Sequence, residues 1–271
     1  MKKLVLITGA AALALSACNS RADEEAAAGA EAAAATIAGD WVVNLDTASA
    51  ENAVESYLLV DGQYTCESCN PPFSYAADGE VHEVDRPGLD AVMMEVVDDN
   101  SVRTMGMFEG EETGNSVWTV SEDGSSMSIA WNNLRGEEAI SGTTNYNRVG
   151  DAPDGAHAIS GGWELAGWGD IDDAGLSFSI SIDGDQYSSR GNGEGWTATV
   201  GGDAVVIPDN DAGDSVRVEA TDNGYRETYI SSDGEVVGVT ELSLDADGNL
   251  VGVNTDPRDD SVVRWTASRA S

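Results

Sequence analysis

The sequence predicts an all-β fold arranged as two tandem antiparallel barrels, with flattened β-sandwiches as the alternative. Three observations carry this expectation. Asp-Gly pairs at 61, 78, 123, 183, 233 and 247 punctuate short apolar runs. Asp-Gly suits the type I′ hairpin turn, which needs positive φ at both central residues. Between them, side chains alternate with period two: Leu176, Phe178, Ile180 and Ile182 share one face, opposite Ser177, Ser179 and Ser181. Val92, Met94 and Val96 repeat the pattern, as do Ile129 and Trp131, and no stretch after residue 36 sustains a helical period. Finally, the chain repeats itself. Gly39-Asp40-Trp41 returns as Gly161-Gly162-Trp163, Val60-Asp61-Gly62 as Ile182-Asp183-Gly184, and the run from Asp90 to Glu95 as that from Asp214 to Glu219. Thr119 to Gly124 likewise returns as Ser243 to Gly248, and a nearly constant offset over so many segments points to duplication.

The chain begins with Lys2 and Lys3, an apolar run from Leu4 to Leu15, and Leu15-Ser16-Ala17-Cys18. This is the layout of a secretory signal over 1–17. The run is too short to span a bilayer, which takes about twenty residues. The last four residues resemble a bacterial lipobox, and that resemblance implies cleavage before Cys18 and acylation of its sulfur. Several acyl chains, at about 0.8 kcal/mol per buried CH₂, hold a protein firmly on a membrane. Asn19, rather than Asp, after the cysteine implies by analogy an outer-membrane address facing the periplasm. Residues 18–36 follow, lipidated Cys18 and an Ala- and Glu-rich tether without an aromatic residue. Two repeats are then expected, 37–149 and 150–271, joined through Asp151-Ala152-Pro153-Asp154-Gly155. Each is long enough for its own core.

Charge narrows the function. The 271-residue chain carries a formal −36, and loss of Lys2 and Lys3, its only lysines, makes the mature form two units more negative. Such a surface repels phosphate backbones and excludes nucleic-acid binding. It suits a protein kept dispersed where salt screens self-repulsion.

A Gly-x-Trp opening the first strand of an antiparallel barrel resembles the lipocalin signature. In that family the Trp closes one barrel end and a basic residue late in the last strand packs across the indole. Trp41 and Trp163 stand at the two signatures; Arg148 ends the first repeat and Arg269 the second. The chain as a whole, with Cys66-Glu67-Ser68-Cys69-Asn70-Pro71-Pro72, resembles duplicated lipocalin-like bacterial lipoproteins of unassigned function. The resemblance implies up-and-down barrels able to hold a small hydrophobic or amphipathic ligand. Other lipocalin motifs are not evident, so a ten-stranded barrel or a flattened sandwich stays open.

Cys66 and Cys69 are the only cysteines besides Cys18. In an oxidising envelope a local disulfide is the favoured reading, with a metal site or a redox pair as alternatives. A redox pair wants a βαβ setting, and zinc wants four ligands. Copy two replaces the stretch with Ser188 to Trp196, so the fold does not require the bond. His82, alternating with Glu80, and His157 read as surface histidines, the former with a pH-sensing or metal-touching alternative. The acidic runs 209–214 and 245–249 lack the EF-hand spacing and read as turns. No nucleophile elbow, zinc-protease motif, P-loop or dinucleotide fingerprint is present. The remaining tryptophans, 118, 131, 168, 196 and 265, are assigned to the core. The expectation is a non-enzymatic protein with no cofactor and no metal. Its partners are the membrane, through the lipid, and a candidate hydrophobic ligand; the alternative is a structural or protein-interaction role with filled barrels.

Overall fold

The computed structural model describes residues 37–208 and 210–270. The signal over 1–17, Cys18 and the tether lie outside them. The described chain forms twenty strands and one helical turn, Asp173–Leu176. The strands make two ten-stranded antiparallel sheets, each curled into a nearly closed barrel.

The first barrel is one continuous piece of chain, 52–172. Its strands are β2 (Val54–Val60), β3 (Gln63–Cys66), β4 (Phe73–Ala76), β5 (Asp78–Arg86), β6 (Leu89–Asp98), β7 (Ser101–Phe108), β8 (Glu111–Val120), β9 (Ser126–Asn133), β10 (Ile140–Gly150) and β11 (Gly161–Gly169). Sequence neighbours pair up and down except β4 and β5, which are the two ends of the sheet, and β11 joins the two runs by lying between β10 and β2. The second barrel holds β12 (Ser177–Asp183), β13 (Gln186–Gly191), β14 (Glu194–Thr199), β15 (Val205–Val206), β16 (Ser215–Thr221), β17 (Gly224–Ile230), β18 (Val236–Leu244), β19 (Leu250–Asp256) and β20 (Ser261–Arg269). Its tenth strand is β1 (Gly39–Glu51), which lies between β20 and β12.

The repeats therefore exchange their first strands. The boundary expected at 149/150 falls inside a barrel: the units are 52–172 and 37–51 with 173–271. Asp151 to Gly155, the expected linker between two domains, instead opens the stretch 151–160 that carries β10 into β11 of one barrel. Local bonds hold it there. The Arg148 guanidinium donates to Ser160 O and Ala158 O, both at 2.7 Å. His157 N donates to Leu59 O at 2.8 Å, and Leu59 N donates to Ser160 Oγ at 2.9 Å. His157 Nε2 donates to Asp98 O at 2.7 Å while Nδ1 accepts from Ile159 N at 3.3 Å. His157 thus ties the connection down rather than decorating it.

Five of the six Asp-Gly pairs lie at turns, but at 123, 183, 233 and 247 only the glycine is left-handed, so these are not type I′. Asp61-Gly62 makes the β2–β3 turn with φ of 50° and 74°, as type I′ demands. Asp78-Gly79, by contrast, sits inside β5 at a break in its register with β6, so it bulges a strand instead of ending one. Val96, expected to face inward beside Val92 and Met94, is 42% exposed, although Val102 directly opposite it on β7 is fully buried.

Candidate functional sites: barrel ends, interiors and the disulfide loop

Both barrels are stoppered by the same device. Trp41 and Trp163 are fully buried, as are Ile37 and Ile159 four residues earlier. Each indole donates Nε1–H to that isoleucine's carbonyl, Trp41 to Ile37 O at 2.9 Å and Trp163 to Ile159 O at 2.8 Å. A guanidinium lies over each ring, Arg148 over Trp163 at 4.0 Å and Arg269 over Trp41 at 4.4 Å. The partners cross between repeats, as the exchanged strands require. The motif glycine has a physical cause here. Gly39 and Gly161 hold φ of 148° and 111°, and a Cβ on either would collide with the stacking arginine.

The two stoppers differ in strength. Arg148 is half-buried and also donates to Gly124 O, whereas Arg269 is exposed and donates to Ala38 O at 2.9 Å. Charge-assisted hydrogen bonds out of water outweigh a solvated stack. Arg148→Ala is expected to lower the unfolding free energy by about 3 kcal/mol, and Arg269→Ala by about 1 kcal/mol. Urea unfolding followed by tryptophan fluorescence measures both; equal losses would contradict this account.

Side chains occupy both interiors. In the second barrel Tyr187 stacks on Trp196 at 5.5 Å and meets Tyr225 at 5.2 Å, while Trp196 meets Tyr229 edge-on at 5.9 Å. Phe178 lies edge-on to Trp265 at 5.7 Å, and Ile180 belongs to the same buried cluster. Leu176 is only partly buried against it, because it ends the helical turn rather than lying in a strand. In the first barrel Tyr57 meets Trp118 at 4.8 Å, and Tyr64 meets Tyr75 at 5.2 Å. Trp118 Nε1 donates to Ser116 Oγ at 2.8 Å and Trp131 Nε1 to Thr144 Oγ1 at 3.1 Å, so these indoles find partners inside the wall. The assignment of Trp118, Trp131, Trp196 and Trp265 to the core agrees with their burial; Trp168 is half-buried.

Each interior also contains a carboxylate that sequence reasoning passed over. Glu227, on β17, accepts from Tyr187 Oη at 2.7 Å and Tyr229 Oη at 3.0 Å. Burial pushes its carboxyl up to about 7, against the pull of those two hydroxyls. The legible signal was Tyr225-Arg226-Glu227-Thr228-Tyr229, in which the acid shares its face with two tyrosines. Glu55 is 4% exposed on β2 and accepts from Ser68 Oγ at 2.8 Å.

Ser68 comes from the loop between β3 and β4. Cys66 and Cys69 are joined by a disulfide, with Cα atoms 5.4 Å apart. With both sulfurs so engaged, neither serves as a thiolate ligand. Glu67 N and Ser68 N donate to Ser56 O, and Arg86 Nη1 donates to Pro71 O at 2.6 Å while lying over Phe73 at 4.6 Å. The loop is a covalently tightened turn that brings one hydroxyl to a buried acid. Copy two needs no such loop: Asn192 and Gly193, with φ of 49° and 80°, turn β13 tightly into β14.

His82 pairs with Asp78 at 2.8 Å, both partly exposed, and that contact draws the Asp78 carboxyl below its ordinary value. Among the described residues no three His, Cys, Asp or Glu side chains cluster as metal ligands. In the run 245–249, Asp245 spends its carboxylate on Asp247 N, Asn249 N and Asn249 Nδ2, which is a turn. An open cleft of about 490 Å³ beside it is lined by Val42, Asn44, Thr47, Asn249, Thr266 and Ser268 among others. Thr47 and Thr266 bond to each other there, leaving few convergent groups for a ligand. No family model, curated protein or solved structure matches this chain.

Proposed function

We propose that this chain is a non-enzymatic, lipid-anchored protein of the cell envelope whose barrels are packed scaffolds and whose outer surface does the work. The observation that favours this over carriage of a small hydrophobic ligand is the occupied interior. Phe178, Ile180 and Trp196, the inward positions a calyx would leave apart, meet with Tyr187 and Tyr229 in one buried cluster. A barrel of this size either holds one small ligand or is filled by its own side chains. The lipid on Cys18 supplies membrane attachment in this reading.

Native mass spectrometry with organic extraction tests it, on the form beginning at Asn19 purified from its own envelope. A clean apo mass and no uptake of fluorescent lipid probes are expected. A reproducible co-purifying small molecule would overturn the scaffold reading and name a cargo.

A further inference from the structure

The outer face of the first barrel gathers three methionines on two adjacent strands. The sequence contains six methionines. Met94 and Met127 are buried in the interior, at 0% and 1% exposure. Met93, Met105 and Met107 alternate with inward side chains, Val92 and Met94 on β6 and Thr104 on β7, so they point outward. All three are half-exposed. Met93 lies directly opposite Met105 in the register, and Met107 lies two residues along the same strand, opposite Ala91. Directly opposed Cβ atoms in an antiparallel pair are about 5 Å apart, and positions i and i+2 about 7 Å apart. A methionine has three rotatable bonds beyond Cα, so side chains on such a triangle can bring their sulfurs to one point above the sheet.

We propose that Met93, Met105 and Met107 form a surface site for a soft monovalent cation, Cu(I) or its analogue Ag(I). A neutral thioether is a soft donor that selects Cu(I) and gives little to Mg²⁺, Ca²⁺ or Mn²⁺, which take oxygen. The surroundings supply the charge the sulfurs lack. Glu83 pairs with Ala91 in the adjoining strand and Glu112 lies opposite Met107 on β8, while Glu95 beside the triad is neutralised by its ion pair with Arg103. On a chain of formal charge −36 the local potential draws cations in. No competing thiol is expected once Cys18 carries lipid, because Cys66 and Cys69 are oxidised. The site depends on neither the membrane anchor nor the packed interiors, and its failure would leave the scaffold reading untouched.

The test is titration with Ag(I), and anaerobically with Cu(I) against a chromophoric chelator, of the chain beginning at Asn19 with methionine methyl groups labelled. One equivalent is expected to bind and to shift three of the five methyl resonances, leaving those of Met94 and Met127 in place. Leucine conserves volume, so Met93→Leu, Met105→Leu and Met107→Leu combined should leave thermal unfolding unchanged and weaken binding at least tenfold. Binding unaltered in that triple variant, equal response to Zn(II) or Ca(II), or no binding at all would each overturn the proposal. An apolar contact for a protein partner, which exposed Val81 beside Met93 also suits, would then be the remaining use of this face.

Discussion

A fragment spanning residues 52–172 is expected to fold alone and unfold cooperatively, while a fragment spanning 37–149, the first repeat as the sequence delimits it, is not. The first contains all ten strands of one barrel, with Trp163, Ile159 and Arg148 at its stopper. The second lacks β11 and retains β1, whose native partners β12 and β20 are absent. Losing one buried tryptophan costs about 3 to 5 kcal/mol. That is a large part of the roughly 5 to 15 kcal/mol that holds a domain together, before the unpaired edges of β10 and β2 are counted. Near-UV circular dichroism and thermal melts of the two fragments decide the matter. The other barrel gives a complementary result: a 37–51 peptide added to the 173–271 fragment should restore its cooperative melt. A cooperative 37–149 beside an unfolded 52–172 would show that the strands are not exchanged.

The second large effect is a loss of stability as pH rises through neutrality, arising from Glu227. Its carboxyl moves from 4.5 in an exposed reference state to about 7 when buried between Tyr187 and Tyr229. The folded state therefore holds a proton that the unfolded state has released. Stability from this group is fully present below about pH 4.5 and is lost as pH rises through about 7. The full swing is on the order of 3 kcal/mol, at about 1.4 kcal/mol per unit. Tyr187 and Tyr229 keep their protons throughout, because burial and the neighbouring Glu227 push both hydroxyls well above their ordinary value. Surface acids such as Asp123 and Asp245, held low by turn hydrogen bonds, act in the opposite sense and only in acid. Glu227→Gln removes the titration while preserving shape. The wild-type chain should be the more stable at pH 4.5 relative to its standing against the variant at pH 8, by roughly 3 kcal/mol. A stability difference independent of pH would refute the buried-acid account.

Much of the fold was legible because β structure writes its geometry into alternation and turn residues. Phe178 with Ile180, Val92 with Met94, and Ile129 with Trp131 all turned inward as their period of two required. Asp61-Gly62 made its hairpin because the backbone there must be left-handed twice. Asp78-Gly79 did not, since a glycine inside a strand pattern serves a bulge as well as it serves a turn. The candidate site residues were legible in kind but not in partnership. Glycine, tryptophan and arginine were recognisable as a stopper, yet Trp41 answers to Arg269 and Trp163 to Arg148.

Local chemistry settled the class of fold, the two copies, the turn that carries Cys66 and Cys69, and the acidity of the surface. The copies follow from segments that recur along the chain, and the rest from residues a few positions apart or from composition alone. Tertiary structure decided which copy each Gly-x-Trp strand completes, because two duplicated strands offer nearly the same edge to either barrel and alternation cannot tell them apart. The choice rests on bonds between distant residues, those of Arg148 and Leu59 to the stretch before β11. Tertiary structure also decided that Glu55 and Glu227 lie inside. An acid among many acids reads as surface until the fold brings it hydroxyls, Ser68 from a loop for Glu55 and Tyr187 from another strand for Glu227, that make its burial tolerable.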